Sequence, residues 1–420
     1  MDGMIVGFDL CDTYTQIAIY DEESKDAVGC EFSKDLEEIP TTICKSRRKD
    51  EWKIGEAACE MALLGAGIVV DKLLRLVKKN GHATLENRTY KAHELLEIYI
   101  REALNYITEK YAKPIDRLIF TVNDFDRVLL DNIMRSIRNL GYDEKKVEVI
   151  SHSESFLYYL LRQNSDNFAN LATVFDLSKE GLWYYECDVL RGMTPQIARA
   201  AGTQLEEGFS LDILESEAGK KLADNIFSAC LDRQFSGKLV SSVYLTGRGM
   251  SDIQEWGSKS LTKICNRRKV YLESGLFAKG AVWMGVTKAE PDLVNYPYIL
   301  IGKGRVMADV GMTMQVNGIS KSLLLLEAGD RWYTSKGSVE FILDDCDSID
   351  IQLTSAGDRR SVTKRISTSE LPNRPNKTTR VRLEAEFTSE TDLKITITDL
   401  GFGEMFPSDG TRIVQEISVA

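Results

Sequence analysis

At 420 residues the chain is longer than one ordinary compact core, so two or three domains are expected. Its 43% hydrophobic and 28% charged residues suit globular cores, whereas a net charge of −11 argues against a general nucleic-acid binder, which needs a basic face. The eight cysteines show no CxxC spacing and the three histidines (82, 93 and 152) lie in unrelated contexts, so neither a disulfide framework nor a transition-metal site is expected. The opening "MDGMIVGFDL" lacks a basic leader, and the longest apolar run, Met61–Val70, is about half a membrane span. A cytoplasmic, soluble protein is the expectation.

In chain order, residues 1–20 read as two strands around a tight turn, the first apolar on both faces and so destined for a buried sheet. Residues 92–111 place Leu95, Leu96, Tyr99, Ile100, Ala103, Leu104, Ile107 and Tyr111 at helical spacing. A strand "RLIFTV" follows Pro114, then a helix that Gly141 can close, a strand "KVEVIS", and a helix capped by Ser151 or Ser153. "VFDLSKEGLWYYECDV", 174–189, reads as a strand running to Asp176, a short break, and a second strand. Strands alternating with helices predict an α/β layered sheet, with the two halves free to share a topology without sharing sequence. From about 287 the helical signal ends and short alternating strands begin; in "VRLEAEF", Val381, Leu383, Ala385 and Phe387 point one way. An all-β sandwich domain over 298–420 is expected, after a linker at 287–297.

Three segments then carry a family signal: "IVGFDLCDTYTQIAIY", "VFDLSKEGLWYYECDV" and "SVYLTGRGMSDIQEW". Their order and spacing resemble the phosphate-one, phosphate-two and adenosine segments of the ATPase fold shared by actin, sugar kinases and the seventy-kilodalton heat-shock chaperones. "KIGEAACEMA", "AKPIDRLIFTVNDFD" and "ESGLFAKGAVWMG" are most similar to the chaperones, and the β-rich tail is similar in placement to their peptide-binding domain, without a helical lid. The whole also resembles an uncharacterised bacterial family built this way. The resemblance implies an α/β actin-like (ribonuclease-H-like) nucleotide-binding domain over 1–286, with lobes at about 1–170 and 171–286.

It also implies ATP or ADP with Mg2+ as cofactor. Asp9 and Asp176 match the family's two metal-associated aspartates, and Lys72 is the candidate for the catalytic lysine, although with Lys78 and Lys79 it also reads as a solvated helix face. Cys11, Asp12 and Thr13 would line the first phosphate turn, with Cys11 standing where the family has glycine. In the second, Ser178, Lys179 and Glu180 replace the glycine run, leaving Gly181 alone. His152 falls at the family's catalytic glutamate, with Glu154 two residues on, while Gly247 and Gly249 keep the adenosine turn. Only about fifty residues separate the second and third segments, room for a strand and two helices and not for an adenine-clamping subdomain.

Two functions remain open on these residues: a chaperone-like or actin-like ATP-binding protein, at most a slow ATPase, whose β-domain binds a polypeptide; or a nucleotide-independent pseudo-ATPase scaffold working through protein–protein contact. A sugar-kinase relative is disfavoured, because no acid stands in a clear glycine-rich acceptor motif. In the tail, Phe402, Met405 and Phe406 form either a loop folded onto the core or an apolar contact for a protein partner.

Overall fold

The computed structural model describes residues 3–32, 37–192, 194–206, 208–291, 298–344, 346–357 and 360–419. The chain divides into two compact units, one of residues 1–189 and 200–296 and the other of residues 190–199 and 297–420.

The first unit holds two large sheets built on one plan. Met4–Leu10, buried at every position, pairs antiparallel with Tyr14–Asp21 on one side and parallel with Ile115–Val122 on the other. Val147–Ser151 extends the parallel side and Asp26–Gly29 the antiparallel side. In the second sheet Leu171–Ser178 takes the central place. It pairs antiparallel with Gly181–Leu190 and parallel with Val240–Thr246, beyond which lies Lys269–Leu272; Gln196–Leu205 follows Gly181–Leu190 in strand order. The register repeats as well: Asp9 lies beside Thr121, and Asp176 beside Thr246.

Helices cover these sheets where the apolar spacing demands it. Ala92–Tyr111 buries seven of the eight residues that its periodicity singles out, and Tyr111 at its end is half-buried. Arg127–Asn139 ends as Gly141 N–H donates to Arg138 O and Tyr142 N–H to Ile137 O, the paired bonds that satisfy a helix's last carbonyls. Of the two serines before His152–Leu160, Ser151 is the cap, its hydroxyl accepting from Glu154 N. Leu276–Ala289 buries residues on every side and packs closely on His152–Leu160; a Cβ at Gly280 would stand 2.1 Å from Ser155 O. Between the second and third family-like segments the chain forms one strand, a short 3-10 turn and a single helix, Glu217–Phe235, in place of two helices.

The second unit contains two four-stranded sheets whose assigned pairs are all antiparallel. One orders Ile319–Leu326, Ala308–Val316, Ser348–Ser355 and Ser361–Ser367; the other orders Lys336–Ile342, Arg380–Phe387, Asp392–Gly401 and Arg412–Ser418. Val381, Leu383, Ala385 and Phe387 are buried together, as their alternation requires. Strands Ser361–Ser367 and Arg412–Ser418 lack a clean alternation of apolar and polar residues, whereas Ala308–Val316 alternates Ala308, Val310, Met312, Met314 and Val316 with polar residues and glycine and is a strand the sequence pattern does carry. Two boundaries are corrected. Residues 190–199 belong to the second unit because Gln196–Arg199 pairs in parallel with Tyr298–Ile301 and buries Ile197 against Ile301, Ala328 and Ala356. The expected linker at 287–297 begins inside the helix Leu276–Ala289, and its residues 292–297 lie outside the described residues.

Candidate functional site

The ends of the two central strands meet in the first unit. Asp9 and Asp176 line one cavity there, together with Cys11, Thr13, His152 and Glu180. The first turn is tight, Cys11 N–H donating to Tyr14 O at 3.1 Å. It holds the Cys11 side chain inward, where the thiol donates to Asp9 Oδ1 at 3.4 Å and lies 3.7 Å from His152 Nε2.

His152 is the first residue of its helix and is almost fully buried. Nε2 lies 2.7 Å from Asp9 Oδ1, and Nδ1 lies 3.3 Å from the Tyr185 hydroxyl, which donates to Asn123 Oδ1 at 3.0 Å. Phe277, from the helix packed alongside, stacks on the imidazole at 3.9 Å between centroids and 8° between planes. The ring is thus held on both nitrogens and one face.

The second turn contributes an acid. Ser178 Oγ accepts from Glu180 N, and the Glu180 carboxylate in turn accepts from Thr13 N at 3.0 Å and from Thr13 Oγ at 3.3 Å. A backbone N–H of the first turn, the group that a phosphate oxygen would use, is therefore occupied by the protein's own carboxylate. Burial pushes the Glu180 carboxyl upward, Asp12 adds like charge, and the bond from Thr13 N–H opposes them. Withdrawal from water lifts Asp176 to about 7; His152 opposes this, and Asp9, Glu180 and Glu38 reinforce it. Burial, followed by the charges of Asp9, Glu180 and Asp176, pushes the Cys11 thiol well above its ordinary range. The remaining cavity is about 40 Å³. That is room for ordered water, an order of magnitude below the roughly 300–1,000 Å³ of a typical small-molecule pocket.

The other residues singled out by sequence fall at varied distances from this centre. Gly247 adjoins it for a steric reason: its φ is +82°, and a Cβ there would stand 2.1 Å from Asp176 Oδ1. Gly249 is buried against Leu177. Gly181 closes the hairpin opposite Ser178. Lys72 is exposed, does not line the cavity, and immediately precedes the helix Leu73–Lys78. The cations that approach the first turn are instead Arg75, 3.6 Å from Asp12, and Lys78, 4.0 Å from Asp12 and 3.2 Å from Asp124. Helical geometry explains the difference, since Arg75 and Lys78 are three residues apart and share a face that Lys72 only begins. Glu154 is buried and also does not line the cavity.

In the second unit, Phe402 and Met405 are 43% and 84% exposed, so neither folds onto the core, and Phe406 is half-buried. Phe402 N–H donates to Phe406 O, which closes this loop on itself. The strand before it carries Asp399, fully buried and bound in a two-pronged pair by Arg374 at 2.7 and 2.9 Å. A separate open groove of about 870 Å³, with Met312, Phe341, Ile342 and Ile349 among its lining, was missed because its residues come from four strands and the loops between them with no common motif.

Residues 27–303 match a family of unknown function, DUF5716, in its C-terminal part. The chain belongs to this family. Residues 305–419 match a second domain of unknown function, DUF8552. No curated protein matches the chain. No helix among the described residues is long and apolar enough to cross a membrane.

Proposed function

We propose that this chain is a nucleotide-independent scaffold on an actin-like, ribonuclease-H-like two-lobed plan, acting through protein–protein contact rather than through turnover of ATP. The repeated strand order of the two sheets supports the architectural part, as does the matching placement of Asp9 and Asp176 beside Thr121 and Thr246.

One observation carries the nucleotide-independent part: the Glu180 carboxylate is seated on Thr13 N–H inside a cavity of about 40 Å³. Phosphoryl transfer requires backbone donors and cations facing the phosphates. Here four carboxylates, Asp9, Glu38, Asp176 and Glu180, line the cavity with Lys179 and Arg248, and Arg248 donates to the Tyr14 hydroxyl. Magnesium ATP does not fit these residues, because Cys11 and Glu180 fill the space and the lining carboxylates supply charge of the wrong sign for a polyphosphate.

For the contact surface, the reading draws on the second unit, where the groove along Met312, Phe341, Ile342 and Ile349 offers apolar surface of peptide size and the exposed Phe402 and Met405 offer a second patch. Calorimetric titration of magnesium ATP and ADP into the full chain tests the proposal. No saturable heat up to millimolar nucleotide is expected. Micromolar binding that disappears in Asp9→Ala would overturn it.

A further inference from the structure

We propose that Asp9, Cys11 and His152 form a site for one divalent transition-metal ion of the zinc class, ligated through Asp9 Oδ1, Cys11 Sγ and His152 Nε2. The three candidate atoms lie within 4.8 Å of one another on side chains that are buried or half-buried. Tetrahedral zinc with ligand bonds of about 2.3 Å to sulfur and about 2.0–2.1 Å to nitrogen or oxygen separates its ligand atoms by roughly 3.3–3.6 Å. The observed Sγ to Oδ1 distance is 3.4 Å and Sγ to Nε2 is 3.7 Å; only Nε2 to Oδ1, at 2.7 Å, has to open.

The surroundings are those of a ligating histidine. A metal-bound imidazole donates its other N–H to an oxygen, which fixes the ring and the nitrogen left for the metal. Tyr185 already donates to Asn123, so its hydroxyl is placed to accept from His152 Nδ1–H and leaves the Nε2 lone pair for the ion. Phe277 holds the ring plane.

Ligand chemistry then selects the ion. One thiolate and one imidazole favour zinc-class ions over magnesium, which takes oxygen ligands and retains several waters. On binding, the ion replaces the Cys11 thiol proton, which passes to solvent, and the thiolate and the Asp9 carboxylate together balance its two positive charges. The adjoining cavity of about 40 Å³ leaves the fourth position to water, with the carboxylates of Asp176 and Glu180 lining the same space. The cleft thus carries the charge and donor set for a thiolate- and imidazole-bound cation where the family resemblance leads one to expect a magnesium nucleotide. This inference stands apart from the scaffold reading, since a metal can bind whether or not nucleotide does.

The test uses the reduced, metal-free full chain titrated with cobalt(II), whose bond to thiolate gives a charge-transfer absorption in the near ultraviolet. One cobalt per chain with that band, bleached by zinc, is expected. Cys11→Ser should weaken cobalt binding at least about 100-fold and abolish the band, and Tyr185→Phe should weaken it by about tenfold. The double variant Cys265→Ser, Cys346→Ser, which removes the two exposed thiols, should bind as the parent does. Absence of the band in the parent, its persistence in Cys11→Ser, or its loss in the exposed-thiol variant would each overturn the proposal. Should Cys11→Ser fail to fold, alkylation of the parent decides: zinc slows modification of Cys11 and leaves Cys265 and Cys346 unchanged if the site exists, and slows none of them selectively if it does not.

Discussion

Asp176 in the first unit and Asp399 in the second are the same residue type withdrawn from water, yet they are driven in opposite directions. Burial, opposed by His152 and reinforced by Asp9, Glu180 and Glu38, lifts Asp176 to about 7. Asp399 receives a two-pronged bond from Arg374 and further donations from Gly401 N and Asp409 N, and falls to about 2. Burial alone raises a carboxylic acid's pKa, and only a paired cation with good hydrogen bonds reverses that. The contrast separates a carboxylate used to hold a loop from carboxylates left with unmet demand for positive charge. The first belongs to architecture, and the second marks a site.

The comparison breaks most visibly at Arg374. Removing one partner of a buried pair leaves an uncompensated charge, so Arg374→Ala should destabilise the second unit by about 3–5 kcal/mol in denaturant unfolding. A loss below about 1 kcal/mol would mean that the pair does not hold the loop. The next effect is smaller and depends on acidity. Because Asp399 is depressed in the folded chain from an ordinary 3.8, its contribution is fully present above about pH 5 and disappears as pH falls through 4 toward 2. That is worth about 2 kcal/mol, and Arg374→Ala should flatten this part of the stability profile.

Two further substitutions sharpen the contrast. Gly247→Ala forces a side chain onto Asp176 Oδ1 at positive φ, and should cost more than about 1 kcal/mol of first-unit stability with a lowered melting temperature. The smallest effect is expected at the loop beside Asp399: Phe402→Ala and Met405→Ala should change stability by less than about 0.5 kcal/mol, since both side chains already face solvent. Measured losses of 2 kcal/mol there would show that these residues act in packing and would remove them as a contact surface.

Local pattern carried a good part of the fold. Strand Met4–Leu10 was evident from an unbroken apolar run, the helix at 92–111 from its spacing, the stop at Gly141 and the buried face of 380–387 from alternation. Each is set by residues within about one helical turn or one strand of each other. The strand at 361–367 gave no such signal, because residues 361–365 are exposed on both faces, whereas 308–316 carries a full alternation of Ala308, Val310, Met312, Met314 and Val316 with polar residues and glycine.

The sequence by itself also singled out Asp9, Cys11, Asp176 and Glu180, side chains that line one cavity. Their partners were decided by tertiary structure alone. His152 reaches Cys11 across 141 residues and Glu180 reaches Thr13 across 167, because strand order brings the end of Val147–Ser151 and the second sheet's hairpin to the end of Met4–Leu10. Spacing along a chain cannot encode such meetings, since packing of whole elements sets them. The same limit hid the grouping of His152 with Asp9 and Cys11, more than 140 residues away in sequence, and it placed Lys72 at a turn that Arg75 and Lys78 approach instead.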